Sequence, residues 1–338
     1  MIHPLAWMVW LAAALATASA TRNPLLLLLA LLAVGLVEAA VPRDGGPLPR
    51  LRLLPLTIGL AGISGLLNML SVRAGSTVLA RIPGWVPLLG GPLTAEALVY
   101  GACGGLALAT IVAAFLAAQR GIPLRALIGL FPPALAPLAL AATVALTFVP
   151  QILLAAQEIR EAQLIRGHRF GGLRSWLPLL LALLAGGLER SLDLAESLAA
   201  RGVAFGAPPQ RGLAARLAPA AALTLAIGGW GAWLAGQAAL GPALMLCGAA
   251  GIAAILWRAP AVRRTAYRER RWRGRDSAIA LLAGFVIVSA LAPLPGIDRA
   301  ALAFYPYPAL MPPRFDIAFG VATLGLAAPG LALWWIGR

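Results

Sequence analysis

The stretch NPLLLLLALLAVGLV, Asn23 to Val37, carries no polar side chain after its asparagine. A helix built from it is apolar all round, and has no face to turn towards water. A membrane β-barrel would need roughly ten-residue segments that alternate apolar and polar, and this run does not alternate. Runs near the length that crosses a bilayer recur at 5–20, 24–40, 53–71, 95–118, 217–235, 238–257, 277–294 and 317–336, with a further long one at 129–155. The chain is 61% hydrophobic and only 12% charged, and its mean hydropathy is +0.87. It is therefore read as an all-α integral membrane protein, a polytopic helical bundle of about eight spans with a cytoplasmic coupling-helix module. The first run lacks a small-residue cleavage site and is read as a retained span.

All 27 basic residues are arginine, and the net charge is +15. Without lysine there is no Walker A motif to hold nucleotide phosphates and no Schiff-base chemistry. The chain is expected to be no enzyme and to hold no cofactor, so that any ATP-driven step belongs to a partner. Arginines beside membrane spans are first of all topology signals, and no nucleic-acid partner is expected. Cys103 and Cys247 fall inside apolar runs without metal or redox spacing, and read as small buried apolar residues.

The arginines concentrate at 43–52, 120–125, 158–211 and 258–275, which places these segments and both termini on the cytoplasmic side. Segment 129–155 then cannot cross once. If it did, Arg43, Arg50, Arg52, Arg120 and Arg125 would face outward, against Arg22, Arg73 and Arg81 in the preferred arrangement. Its prolines, Pro132, Pro133, Pro137 and Pro150, interrupt helical hydrogen bonding, so it is expected to lie at the membrane surface or to be re-entrant. Four regions result: membrane spans at 1–128, surface and cytoplasmic coupling helices at 129–211, a membrane hairpin at 212–258, and a basic segment with the last spans at 259–338.

Within the second region, EAQLIRGHRFG (161–171) and ESLAARGVAFG (196–206) share one shape: an acidic residue, four residues, Arg-Gly, two residues, Phe-Gly. In the second copy Arg190, Leu194, Ser197 and Arg201 form one helical stripe, and Asp193 is within pairing reach of Arg190. Gly202 is placed to end that helix. The pattern presents an arginine at the C-terminus of each of two successive helices. A lone arginine there would complement the helix dipole and anchor at lipid headgroups. A repeated one suits docking in a groove that offers a carboxylate.

The pair AQLIRGHRFG and RSLDLAESLAARG resembles the two Ala-Arg-Gly motifs of the transmembrane T component of energy-coupling factor (ECF) transporters, micronutrient importers of prokaryotes. The resemblance extends to HPLAW (3–7), TRNPLLLL (21–28), PLTAEALVYG (92–101), ALTFVP (145–150) and YRERRWRGRDSAIALL (267–282). It implies a plasma-membrane scaffold that couples two cytoplasmic ABC ATPase subunits, which bind the ATP, to a small substrate-binding membrane subunit. By that resemblance Arg166, Gly167, Ala200, Arg201 and Gly202 form the ATPase-coupling motifs, with Arg190 and Asp193 in support. The chain departs from the family pattern at Ile165, Ala199 and Thr147, and in the added hairpin at 207–262.

Two other classes compete. A secondary transporter would carry an ionisable residue within the membrane, where only Glu38 and Glu96 come close. An enzyme acting on a lipid-linked substrate would gather carboxylates or histidines, yet His3 and His168 lack ligand spacing and read as surface or capping residues. Glycines at 59, 62 and 65 and at 101, 104 and 105 would let helices approach closely, within the bundle or against a membrane partner.

Overall fold

The computed structural model describes residues 2–41, 52–82, 91–132, 135–169, 171–201, 213–237, 239–258, 272–292 and 294–336. In chain order its helices are α1 (Pro4–Ala20), α2 (Pro24–Ala40), α3 (Leu53–Ser71), α4 (Ala95–Gly121), α5 (Leu124–Ile128), α6 (Ala136–Ile165), α7 (Leu177–Ala200), α8 (Leu213–Leu234), α9 (Leu240–Arg258), α10 (Gly274–Leu291), α11 (Arg299–Leu302), α12 (Ile317–Leu324) and α13 (Ala328–Ile336). A two-stranded antiparallel ribbon, β1 (Val78–Ile82) with β2 (Gly91–Thr94), interrupts the helices before α4.

Six helical stretches are long and apolar enough to cross a membrane: Leu53–Ser71, Ala95–Gly121, Ala136–Ile165, Leu217–Leu234, Gly274–Leu291 and Ile317–Trp335. Three shorter apolar helices are Pro4–Ala20, Pro24–Ala40 and Leu240–Leu256, so that the nine together correspond to the eight runs read from the sequence and the further segment 129–155. The protein is an all-helical polytopic membrane protein apart from the small ribbon. One expectation changes in kind: α6 is a continuous helix of 30 residues that does not turn back, so it is not re-entrant. Pro137 sits in its first turn, where a missing N–H costs nothing, and only Pro150 lies inside. The four regions also regroup. The first and last pack into one compact unit, Met1–Ala126 with Tyr267–Arg338, and the two middle regions into another, Leu127–Ala266.

In the first unit, α1 and α2 start alike. Leu5 N–H donates to His3 Nδ1 and Leu25 N–H to Asn23 Oδ1, and a proline follows each capping residue. Trp7 and Trp10, buried and edge-to-face at 5.3 Å, fill the core beside α1. The helix ends are tied in two sets. At one end the His3 N–H donates to Asp276 Oδ1 (3.0 Å), and the His3 ring lies 5.0 Å from that of Trp272. There too, Gly121 lies against the Trp7 indole, where a Cβ would fall 2.5 Å from the ring. At the other end Asn23 Nδ2 donates to the carbonyls of Ala301 and Arg314, and the Ser76 N–H to that of Pro308. The last apolar stretch breaks at a 3-10 turn, Gly325–Ala327, whose Leu326 carbonyl accepts from Trp10 Nε1 at 2.7 Å.

Glycine sets the closest helix contacts. A Cβ on Gly101 would fall 2.6 Å from the Ser64 carbonyl of α3, and Gly105 lies equally tight against Leu60 and Ala61. Gly59 and Gly62 have nothing within 4 Å and face outward, Gly65, Gly101 and Gly105 serve bundle packing, and a Cβ on Gly104 would meet only the Ser64 hydroxyl, at 3.5 Å. In the second unit, α8 and α9 close on each other through Gly229, Gly241 and Gly248, each too near the facing backbone to carry a Cβ. Cys103 is buried as expected; Cys247 on α9 is exposed.

Candidate functional site

Helix α6 ends in a glycine-capped turn. Arg166 is its capping residue, and Gly167 follows at φ +81°, a left-handed conformation that glycine takes without a steric penalty. The Gly167 N–H donates to the Leu164 carbonyl and the His168 N–H to that of Gln163, both at 2.9 Å, which satisfies two carbonyls the helix would leave open. The His168 ring Nε2 is 2.7 Å from the Ser175 carbonyl, holding the turn against the short 3-10 segment Leu173–Trp176 that leads into α7. His168 is thus a turn-fixing residue, in line with its sequence reading.

Helix α7 repeats the arrangement. Ala200 is its last residue and Arg201 caps it, with the Arg201 N–H on the Ser197 carbonyl at 3.3 Å. Both capping arginines have nearly the same backbone angles, φ −76° and ψ 6° at Arg166 and φ −84° and ψ 6° at Arg201. Both are exposed. A cation at a helix C-terminus complements the partial negative charge gathered on the last carbonyls. Gly202 lies outside the described residues, as does the Phe-Gly that follows it.

The supporting pair is not formed. Arg190 and Asp193 lie exposed on α7 without an ion pair, because two long side chains three residues apart in water gain about as little as ordering them costs. Arg120 and Glu38 do form an ion pair, at 2.7 Å, joining the ends of α4 and α2. Helix α7 is amphipathic, with exposed leucines at 177, 180, 181, 184, 188 and 192 and charges at Glu189, Arg190, Asp193 and Glu196.

Sequence reasoning noted Glu96 only as an acidic residue close to the membrane; the structure makes it the centre of a second polar group, at the far end of the first unit. Glu96 is fully buried, and its Oε1 accepts from Ser76 N, Ser76 Oγ and Thr77 N at 2.9–3.2 Å. Its Oε2 lies under Gly75, where a Cβ would come within 2.5 Å, and Gly75 has φ +137°. The carboxylate is a fastener for the turn before β1. The only sequence signal for it was one acidic residue at the start of an apolar run. Nearby, the rings of Tyr100, Tyr305 and Tyr307 pack with centroids 5.1–6.1 Å apart.

No family model matches the chain, and no curated protein matches it.

Proposed function

We propose that this chain is the transmembrane coupling subunit of an ECF-type ABC importer, passing ATP hydrolysis on two partner ATPases to a small substrate-binding membrane subunit. The observation that carries the reading is the matched pair of exposed arginines, Arg166 and Arg201, capping two successive helices. Such an end is a rigid peg. Its backbone is held by capping bonds, and its guanidinium is free to meet a carboxylate two donors at a time. The imported molecule would be a vitamin or other micronutrient, bound by the partner.

Helix parity supports the placement of both pegs on one face of the membrane. Gly121 at the end of α4 touches Trp7, in the first two turns of α1, and His3 beside it bonds Asp276 at the start of α10. The end of α4 and the start of α10 therefore share a side, and the chain between them crosses an even number of times. Helices α8 and α9 form a hairpin and contribute both crossings or none. Helix α7, interrupted by four charges, is not apolar enough to cross, so α6 does not cross either despite its length. In this proposal the pegs are cytoplasmic, the side that the positive-inside rule gives to the arginine-rich segment 158–211.

A secondary transporter is the competing reading. Its expected ion-coupling residues are already engaged, Glu38 by Arg120 and Glu96 by Ser76 and Thr77. The deciding experiment is gentle purification of the tagged chain followed by intact-complex mass spectrometry. Two ATPase subunits and a small membrane protein are expected with it, and a homo-oligomer lacking ATPases would overturn the proposal.

A further inference from the structure

We propose that α7 lies along the membrane surface, with a stripe of leucines sunk into the acyl-chain boundary of a phospholipid leaflet and its charged stripe turned to water. The proposal rests on the placement of α6 and α7 as helices that do not cross, and goes beyond it by naming the surface that holds α7. For the twelve residues from Leu177 to Leu188, LPLLLALLAGGL, α7 carries no polar side chain. A helix that is apolar all round belongs in a protein core or in lipid. No core takes this one, since Leu179 is the only residue of α7 that is buried. Leu177, Leu181, Leu184, Leu188 and Leu192, spaced i, i+4, i+7, i+11 and i+15 along one face, are 56–66% exposed. A Cβ on Gly186 or Gly187 would meet nothing within 4 Å, so no described part of the chain closes on the middle of the helix there.

The borders of the stripe tell what covers it. Glu189, Asp193 and Glu196, at i, i+4 and i+7, form a separate exposed stripe, which gives the helix one side suited to water and one that is not. Trp176, 43% exposed, stands immediately before the helix, with Arg174 two residues earlier. An indole and a cation on a long apolar stem are side chains that settle at the level of lipid headgroups. Twelve helical residues reach about 18 Å, short of the roughly 30 Å hydrocarbon core, so the apolar segment cannot cross but can lie in the interface. Lipid is at hand, because the same chain has six helical stretches able to cross a bilayer. A helix of this kind buries its apolar face about 5–10 Å into the headgroup and acyl boundary. That depth sets the height above the bilayer at which Arg201, directly after α7, is presented.

The test uses the full-length chain in phospholipid nanodiscs, with Cys103→Ala and Cys247→Ala as background. Nitroxide labels are placed singly by Leu184→Cys, Leu188→Cys, Leu192→Cys, Glu189→Cys and Glu196→Cys, all at exposed positions that the fold does not need. Each label's collision rate is measured with oxygen, which concentrates in lipid, and with a water-soluble nickel chelate. The oxygen-to-nickel ratio at the three leucine positions should be severalfold higher than at the two glutamate positions, following the helical period. Equal, nickel-dominated ratios at all five would put α7 in water and overturn the proposal. Low collision with both reagents at the leucine positions would mean that protein, a second copy or a partner subunit, covers the stripe, and would overturn it too. Both results leave the non-crossing placement standing. Oxygen-dominated ratios at all five, the glutamate positions included, would show that α7 crosses, and the placement falls together with this proposal.

Discussion

Arg166 and Arg201 are the residues whose removal should separate coupling from folding. Each caps a helix from an exposed position, so alanine there disturbs little of the protein's own packing. An arginine buried against a carboxylate in a complex typically costs about 3–5 kcal/mol when one partner is lost, since the other charge is stranded. Arg166→Ala or Arg201→Ala should each weaken ATPase co-purification, and the double change should abolish ATP-driven uptake at equal membrane expression. Arg190→Ala is the control and should behave as wild type, because Arg190 makes no ion pair on α7. Normal uptake by the double variant would return both arginines to the role of headgroup anchors. A second residue makes a pH prediction. Burial pulls the Asp316 carboxyl upward, but the N–H groups of Phe319, Asp298 and Ala318 outweigh it and hold the group below its usual range. A depressed folded pKa gives stability that is complete above the unfolded value, about 3.9, and is lost as pH falls through the lower folded value. Wild-type melting temperature in detergent should therefore drop below about pH 4, and Asp316→Asn should flatten that part of the curve. Equal slopes for the two proteins would show that the cap carries no such linkage.

At the scale of the element, α6 is the informative case. Single cysteines at Gln119, Arg169 and Arg314, in a chain with Cys103→Ala and Cys247→Ala, sample the end of α4, the turn beyond α6 and the opposite end of the first unit. An impermeant external thiol reagent on intact cells should label only the cysteine at 314. Labelling at 169 with protection at 119 would mean that α6 crosses. The sequence left this segment open between a surface helix and a re-entrant one, because a proline in a first turn and a proline in a helix interior look alike until the helix start is known. The starts of α1 and α2 were easier to read, since His-Pro and Asn-Pro each combine a capping side chain with a proline. The arginine ends were legible because a glycine after a basic residue marks a helix stop by local chemistry. Ribbon β1–β2 and the Glu96 fastener were not legible, since their bonds join residues whose neighbours in sequence carry no matching signal.

For the whole molecule, parity makes the hairpin removable. Deleting 213–258 takes out α8 and α9 together, an even number of crossings, and these two helices close on each other through their own glycines. The shortened chain should insert with the same sidedness at 119, 169 and 314, and should still recover ATPase subunits. Inverted labelling at 314 would show that the hairpin sets orientation. The bond from Trp10 to the Leu326 carbonyl bears on how this unit is assembled. The broken turn exposes a carbonyl that lipid cannot solvate. The donor that satisfies it lies 316 residues earlier in the chain. Both polar groups are therefore satisfied only once two segments far apart in sequence have met, and a chain that stalls before Leu326 keeps an indole N–H waiting in the bilayer, a mark by which quality control could tell an unfinished copy from a finished one.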